Sequence, residues 1–257
     1  MTNENITLTP TETLHAKTIP LAASHPQPHP TNKPLPKPYT GAHPNPSTPL
    51  YFAYGSNLSP TQMRSRCAFH PAISGTPVAL ARLDGWRWFI NQMGYANVYP
   101  PVGLRSQSQS TAAAAEGEGI PQSGDEDAVF GVLYEMARDD ERLLDGYEGV
   151  DWDALPSSSA GGVSGGVSGA IRPREQGSGD YNKWYLPAKI TRWLDDEQRV
   201  ARGEREEQTV LVYVDEERVR VGPPKKEYIA RMDRAIREAL ELGFPAEWAG
   251  EVMMRVV

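Results

Sequence analysis

From Leu50 onward, apolar runs of two different periods alternate along the chain, whereas the first 48 positions show neither. Leu50–Tyr54 is a short apolar and aromatic run that predicts a buried strand, followed by a Gly55-Ser56-Asn57 turn. Ser59 then stands as an N-cap, Pro60 at the first helical position and Gln62 three residues past the cap. This capping-box pattern predicts a helix that ends before Pro71. Val78–Leu83 and Trp86–Ile90 read as strands joined by an Asp84-Gly85 turn, with Trp86, Trp88 and Ile90 alternating on one face. Ala96–Tyr99 reads as a further short strand, and Val129–Met136 as a β-rich run. Asp139 or Asp140 is placed to cap a short helix through Leu144, with Gly146 past its end. Strands are expected over Tyr185–Leu194 and Thr209–Asp215. Pro224 opens an amphipathic helix with Ile229, Met232, Ile236, Ala239 and Leu240 on one stripe, stopped by Gly243-Phe244-Pro245.

About six strands and three helices in mixed order predict one α+β domain, with a mostly antiparallel sheet or barrel and flanking helices. Composition sets its limits. Of 23 prolines, 11 fall in the first 50 residues, so residues 1–48 are expected to be a disordered proline-rich tail before a domain over 49–257. Gly- and Ser-rich stretches near 103–127 and 154–180 read as mobile inserts.

Net charge is −7 and the tail contributes +1, so the remainder carries −8, which disfavours nucleic acid and anionic membranes as partners. No apolar run is long enough for a bilayer, no secretory leader is evident, and the single cysteine suits a reducing compartment. A cytoplasmic location is expected.

Elimination narrows the chemistry. Beyond the tail there is one histidine, His70, and one cysteine, Cys67, too few for a common zinc site, so no metal is expected. No nucleophile elbow, Walker loop or dinucleotide fingerprint is present. Cys67 and His70, three apart on the expected helix, read as buried and helix-terminal residues rather than a nucleophile pair. A carboxylate is left as the proton carrier of any enzyme. Glu135 reads as an exposed strand-end residue. Glu148 reads as a loop carboxylate that Tyr147, Val150 and Trp152 could desolvate.

The segment Tyr51-Phe52-Ala53-Tyr54-Gly55-Ser56-Asn57-Leu58 closely resembles the substrate loop of the γ-glutamyl cyclotransferase family. Later blocks resemble the family in order: Ala81-Arg82-Leu83, then Val129–Met136, then Leu144-Asp145-Gly146-Tyr147-Glu148-Gly149-Val150. Pro223–Tyr228 resembles, more weakly, a segment that carries a substrate-contacting tyrosine. The resemblance runs from about Leu50 to Gly243; the tail and the long inserts depart from it.

It implies a γ-glutamylcyclotransferase that forms 5-oxoproline and a free amine by attack of the substrate's α-amine on its own γ-carbonyl. Glu148 would be the acid–base residue. Tyr51, Phe52, Ala53, Tyr54, Gly55, Ser56, Asn57, Leu58 and Tyr228 would be the substrate-binding set. It implies no cofactor, a small γ-glutamyl molecule as partner, and allows a homodimer. Two alternatives stand beside it: a relative acting on γ-glutamyl amines or secondary-metabolite intermediates, and a non-catalytic scaffold whose proline-rich tail is an interaction arm.

Overall fold

The computed structural model describes residues 48–114, 119–124, 127–157 and 170–257. The expected tail up to Ser47, and residues 158–169 of the second expected insert, lie outside the described residues.

The elements in order are β1 (Leu50–Ala53), a 3₁₀ turn (Ser56–Leu58), α1 (Pro60–Arg66), α2 (Pro71–Ser74), β2 (Pro77–Asp84), β3 (Arg87–Ile90) and β4 (Ala96–Tyr99). Then come α3 (Gln107–Ala114), β5 (Ala128–Tyr134), α4 (Arg138–Tyr147), β6 (Asn182–Trp193), α5 (Asp196–Ala201), β7 (Glu207–Val214) and α6 (Lys226–Glu241). Five strands close a barrel in the order β1-β5-β2-β6-β7. Every neighbouring pair is antiparallel except β7 and β1, which run parallel and shut it. The α+β barrel with flanking helices is therefore the architecture of this chain.

Local sequence explains the closure. β1 is buried along its whole length, so it carries an unbroken apolar run rather than an alternating one. Its Phe52 ring lies against Gly131 of β5, where an added Cβ would come within 2.6 Å of the ring. Register shifts in β2 near Ala79 and Leu80 bend that strand around the barrel. Outside, the α6 stripe of Tyr228, Met232, Ala235, Ile236 and Ala239 is buried, and Gly243 turns the chain away with φ +88°.

Six expectations change. The Asp84-Gly85 turn does not pair its flanking strands: β2 belongs to the barrel, and β3 pairs instead with β4 in a separate hairpin. Because Phe89 also meets Tyr99 and Val219, that hairpin is buried on both faces. The first helix stops at Arg66, so Cys67 and His70 are not on one helix; Cys67 caps α1 and His70 precedes α2. Gly146 lies within α4, and the left-handed residue that ends it is Gly149. Asp140 caps a different segment, its carboxylate accepting from the backbone N–H groups of Phe69 and His70 and from Ser74 Oγ. Finally, the segment read as a loop over 103–127 contains the eight-residue α3, and Glu135 is buried against Gln198 rather than exposed.

Candidate active site

Strand β1 ends at Ala53, and the chain then turns over the barrel mouth. Glycine is required at position 55, since a Cβ there would stand 2.8 Å from Tyr228 Oη and 3.2 Å from Ala96 Cβ. The turn thus packs directly on α6 and on the β3–β4 hairpin. Tyr228 Oη accepts the N–H groups of Ser56 and Ala96, both at 3.3 Å, stitching the three elements together. Trp88 Nε1 donates to the Tyr54 carbonyl, and Tyr181 Oη to the Ala96 carbonyl, from the other side.

A cavity of about 300 Å³ opens beside this junction, a size suited to a small metabolite. Tyr51, Tyr54, Gly55, Ser56, Asn57, Glu148 and Tyr228 all line it. Strict alternation would place Tyr51 and Tyr54 on opposite faces, but the strand stops between them and both reach the hollow. Phe52, Ala53 and Leu58 are fully buried and not among the lining residues. They build the floor under the loop: Phe52 packs on Gly131, and the Leu58 carbonyl accepts from Tyr134 Oη.

Glu148 is the C-cap of α4 and lines the same cavity. Its Oε1 accepts two donors at 3.2 Å, Asn57 Nδ2 and Arg66 Nη1. Its Oε2 makes no hydrogen bond among the described residues. One oxygen is therefore anchored and the other is available. Burial raises the Glu148 pKa above the usual carboxylate value, with Arg66, Asn57 and Arg231 pulling in the other direction. The desolvating surfaces differ from those expected. Tyr147 lines the cavity, but Trp152 is half exposed and faces Arg174 and Lys183 instead.

Asn57 is a positioning residue rather than a free ligand. Its Nδ2 donates to Tyr51 Oη and Glu148 Oε1, and its Oδ1 accepts from Gln62 Nε2 and Arg66 Nη1. A guanidinium can only donate, so Arg66 settles which way the Asn57 amide faces. Gln62 does only half of the expected capping box. Its backbone N–H meets Ser59 Oγ, but its side chain turns to Ser56 Oγ and Asn57. Gln62 and Arg66, one turn apart on α1, are site residues that the sequence reading missed; their i, i+4 spacing was the available signal.

In the loop, Ser56 N–H goes to Tyr228, Leu58 N–H to the Gly55 carbonyl and Ser59 N–H to the Ser56 carbonyl. The Gly55 and Asn57 N–H groups have no acceptor among the described residues. Burial pushes the Tyr228 hydroxyl up to about 12, so at neutral pH it keeps its proton and can donate it in a hydrogen bond. The Cys67 thiol is buried and likewise pushed up to about 12, which leaves it inert as a nucleophile. No cluster suited to a metal ion is present among the described residues, and none of their helices is long and apolar enough to cross a membrane.

Solved structures with a similar outline include proteins described as γ-glutamyl cyclotransferases. A solved structure described as a gamma-glutamyl cyclotransferase is 19% identical over 79% of this chain and 85% of its own, with a TM-score of 0.44. YkqA from Bacillus subtilis is 15% identical over 82% of this chain and 54% of its own, with a TM-score of 0.48. A yeast γ-glutamyl cyclotransferase specific to glutathione is 13% identical over 74% and 87%, with a TM-score of 0.40. No protein-family model matches the chain, and no curated protein matches it in sequence. At such identities these are likenesses of outline, and the chemistry of the cavity stands on its own residues.

Proposed function

We propose that this chain is a γ-glutamylcyclotransferase that converts a γ-glutamyl amino acid or peptide to 5-oxoproline and a free amine. The observation that carries the reading is Glu148, held through one oxygen, unengaged at the other, and sharing one cavity with the Gly55–Asn57 turn.

The chemistry follows from that placement. Glu148 takes a proton from the substrate's α-ammonium. The neutral amine attacks the γ-carbonyl carbon, a C–N bond forms, and the carbonyl electrons move onto oxygen. As the oxyanion collapses, the bond to the leaving nitrogen breaks and Glu148 returns its proton there; it then takes the second proton from the ring nitrogen and passes it to the freed amine, leaving a neutral lactam and an ammonium. Ring closure is intramolecular, so the protein mainly orients the chain and moves the proton. Desolvation of Glu148 makes it a better base than a solvated glutamate. The Gly55 and Asn57 amides and the Tyr228 hydroxyl are donors suited to a developing oxyanion.

The test is 5-oxoproline release by the full chain across γ-glutamyl dipeptides, glutathione and γ-glutamyl amines. Glu148→Gln and Glu148→Ala are expected to abolish release while leaving the melting temperature near wild type. Wild-type-like turnover in either variant rejects the acid–base role. A wild-type protein inactive on the whole panel returns the scaffold alternative.

A further inference from the structure

Four cations line the cavity: Arg66, Arg218, Lys225 and Arg231. Three are engaged. Arg66 pairs with Glu148, Arg218 pairs with Asp180 and Asp215, and Lys225 Nζ donates to Tyr95 Oη at 3.1 Å. Arg231 differs from these. Among the described residues it has no ion pair and no hydrogen bond, and it is held only by ring faces. Its guanidinium carbon lies 5.0 Å from the Tyr228 ring centroid and 5.9 Å from that of Tyr95. Ring faces hold a guanidinium while leaving its in-plane N–H groups unspent. A half-buried cation with unspent donors in a cavity wall is suited to a carboxylate ligand, which a guanidinium grips through two parallel hydrogen bonds.

We propose that Arg231 anchors the α-carboxylate of the glutamyl unit and thereby selects substrates in which that group is free. This rests on the function proposed above. The α-carbon of a γ-glutamyl group bears its amine and carboxylate side by side. A cation in the same cavity as Glu148 therefore lets one contact deliver the amine to the base. The Arg231 charge also pulls the Glu148 pKa downward. Tyr228, one turn earlier on α6, holds the Ser56 N–H and supports Arg231 with its ring. The same helix thus sets both the loop and the anchor. It follows that the loop's amides serve the γ-carbonyl oxygen rather than the carboxylate.

The experiment compares γ-glutamyl-alanine with the analogue whose glutamyl α-carboxylate is a carboxamide, for the wild type, Arg231→Met and Arg231→Lys. The wild type is expected to favour the free carboxylate by on the order of 100-fold in kcat/KM, the scale for a charge-paired hydrogen bond in a desolvated site. Arg231→Met should lose about that factor on the carboxylate, chiefly through KM, and far less on the carboxamide. Arg231→Lys should retain part of the preference. A wild type that treats both compounds alike, or an Arg231→Met loss equal on both, overturns the anchor while leaving cyclotransferase activity standing. No release from any γ-glutamyl compound overturns the function and the anchor together.

Discussion

Replacing Arg66 by methionine removes its charge and its hydrogen bonds to Glu148 and Asn57 Oδ1, all of which favour the Glu148 carboxylate, while methionine keeps an apolar stem against the Tyr147 ring that Arg66 now covers. Arg66 Nη1 lies 3.2 Å from Glu148 Oε1, and the two side chains are 13% and 16% exposed. Unit charges about 4 Å apart attract by about 1 kcal/mol in water and about 4 kcal/mol at an effective dielectric near 20. The pair is mostly buried but borders an open cavity, so its attraction falls between those limits. The sign is unambiguous. Arg66 favours the carboxylate, so its loss raises the Glu148 pKa further above its already elevated position. Since the base form exists only above that pKa, the acidic limb of kcat/KM moves to higher pH. One pKa unit corresponds to about 1.4 kcal/mol, so the displacement is on the order of one pH unit, with Arg231 and entering water limiting it. The assay is 5-oxoproline release from pH 4 to 9 at subsaturating substrate. A limb that stays within about 0.3 units of wild type, or moves to lower pH, refutes this account of how Glu148 is tuned.

Two further outcomes test the scaffold around the site. Gln62→Met removes one of the two donors that hold Asn57 Oδ1 and should lower kcat several-fold, about 1 kcal/mol, with KM little changed; an unaltered kcat removes Gln62 from the positioning set. Asp140→Ala strips the acceptor from the Phe69 and His70 N–H groups and from Ser74 Oγ, all within 2.9 Å of a fully buried carboxylate. Its cost should be about 2–4 kcal/mol in chemical denaturation, and a loss below about 1 kcal/mol contradicts the assigned cap.

Elements with strong local signals were legible in the chain alone. The Ser59-Pro60 start of α1, the amphipathic stripe of α6 and its Gly243 stop follow from short-range sterics and hydrogen bonding, and they stand where the pattern places them. The Tyr51–Leu58 loop and Glu148 were singled out through motif resemblance, and the fold brings Tyr51, Tyr54–Asn57 and Glu148 to one cavity. Nothing in periodicity distinguishes Glu148 from a solvated glutamate. What stayed hidden depended on which residues meet across the barrel. Glycines at 146 and 149 look alike in sequence, yet only Gly149 takes the left-handed conformation that ends α4 and makes Glu148 the cap. Likewise, Glu135 and Glu148 are both carboxylates at the end of an element. One is buried against Gln198, while the other faces a cavity with a single anchored oxygen.

The amino-acid sequence by itself determined where β1 and α1 begin and where α6 stops, because those choices are made within a few residues of each other. The tertiary structure alone decided that α1 lends Arg66 to a carboxylate 82 residues further along the chain while Gln62 steadies Asn57, and that α6 sets Arg231 against the Tyr228 and Tyr95 rings. Closing the barrel brings these groups within hydrogen-bonding or ring-contact range, and at that range burial and charge, rather than local preference, fix what each group can do.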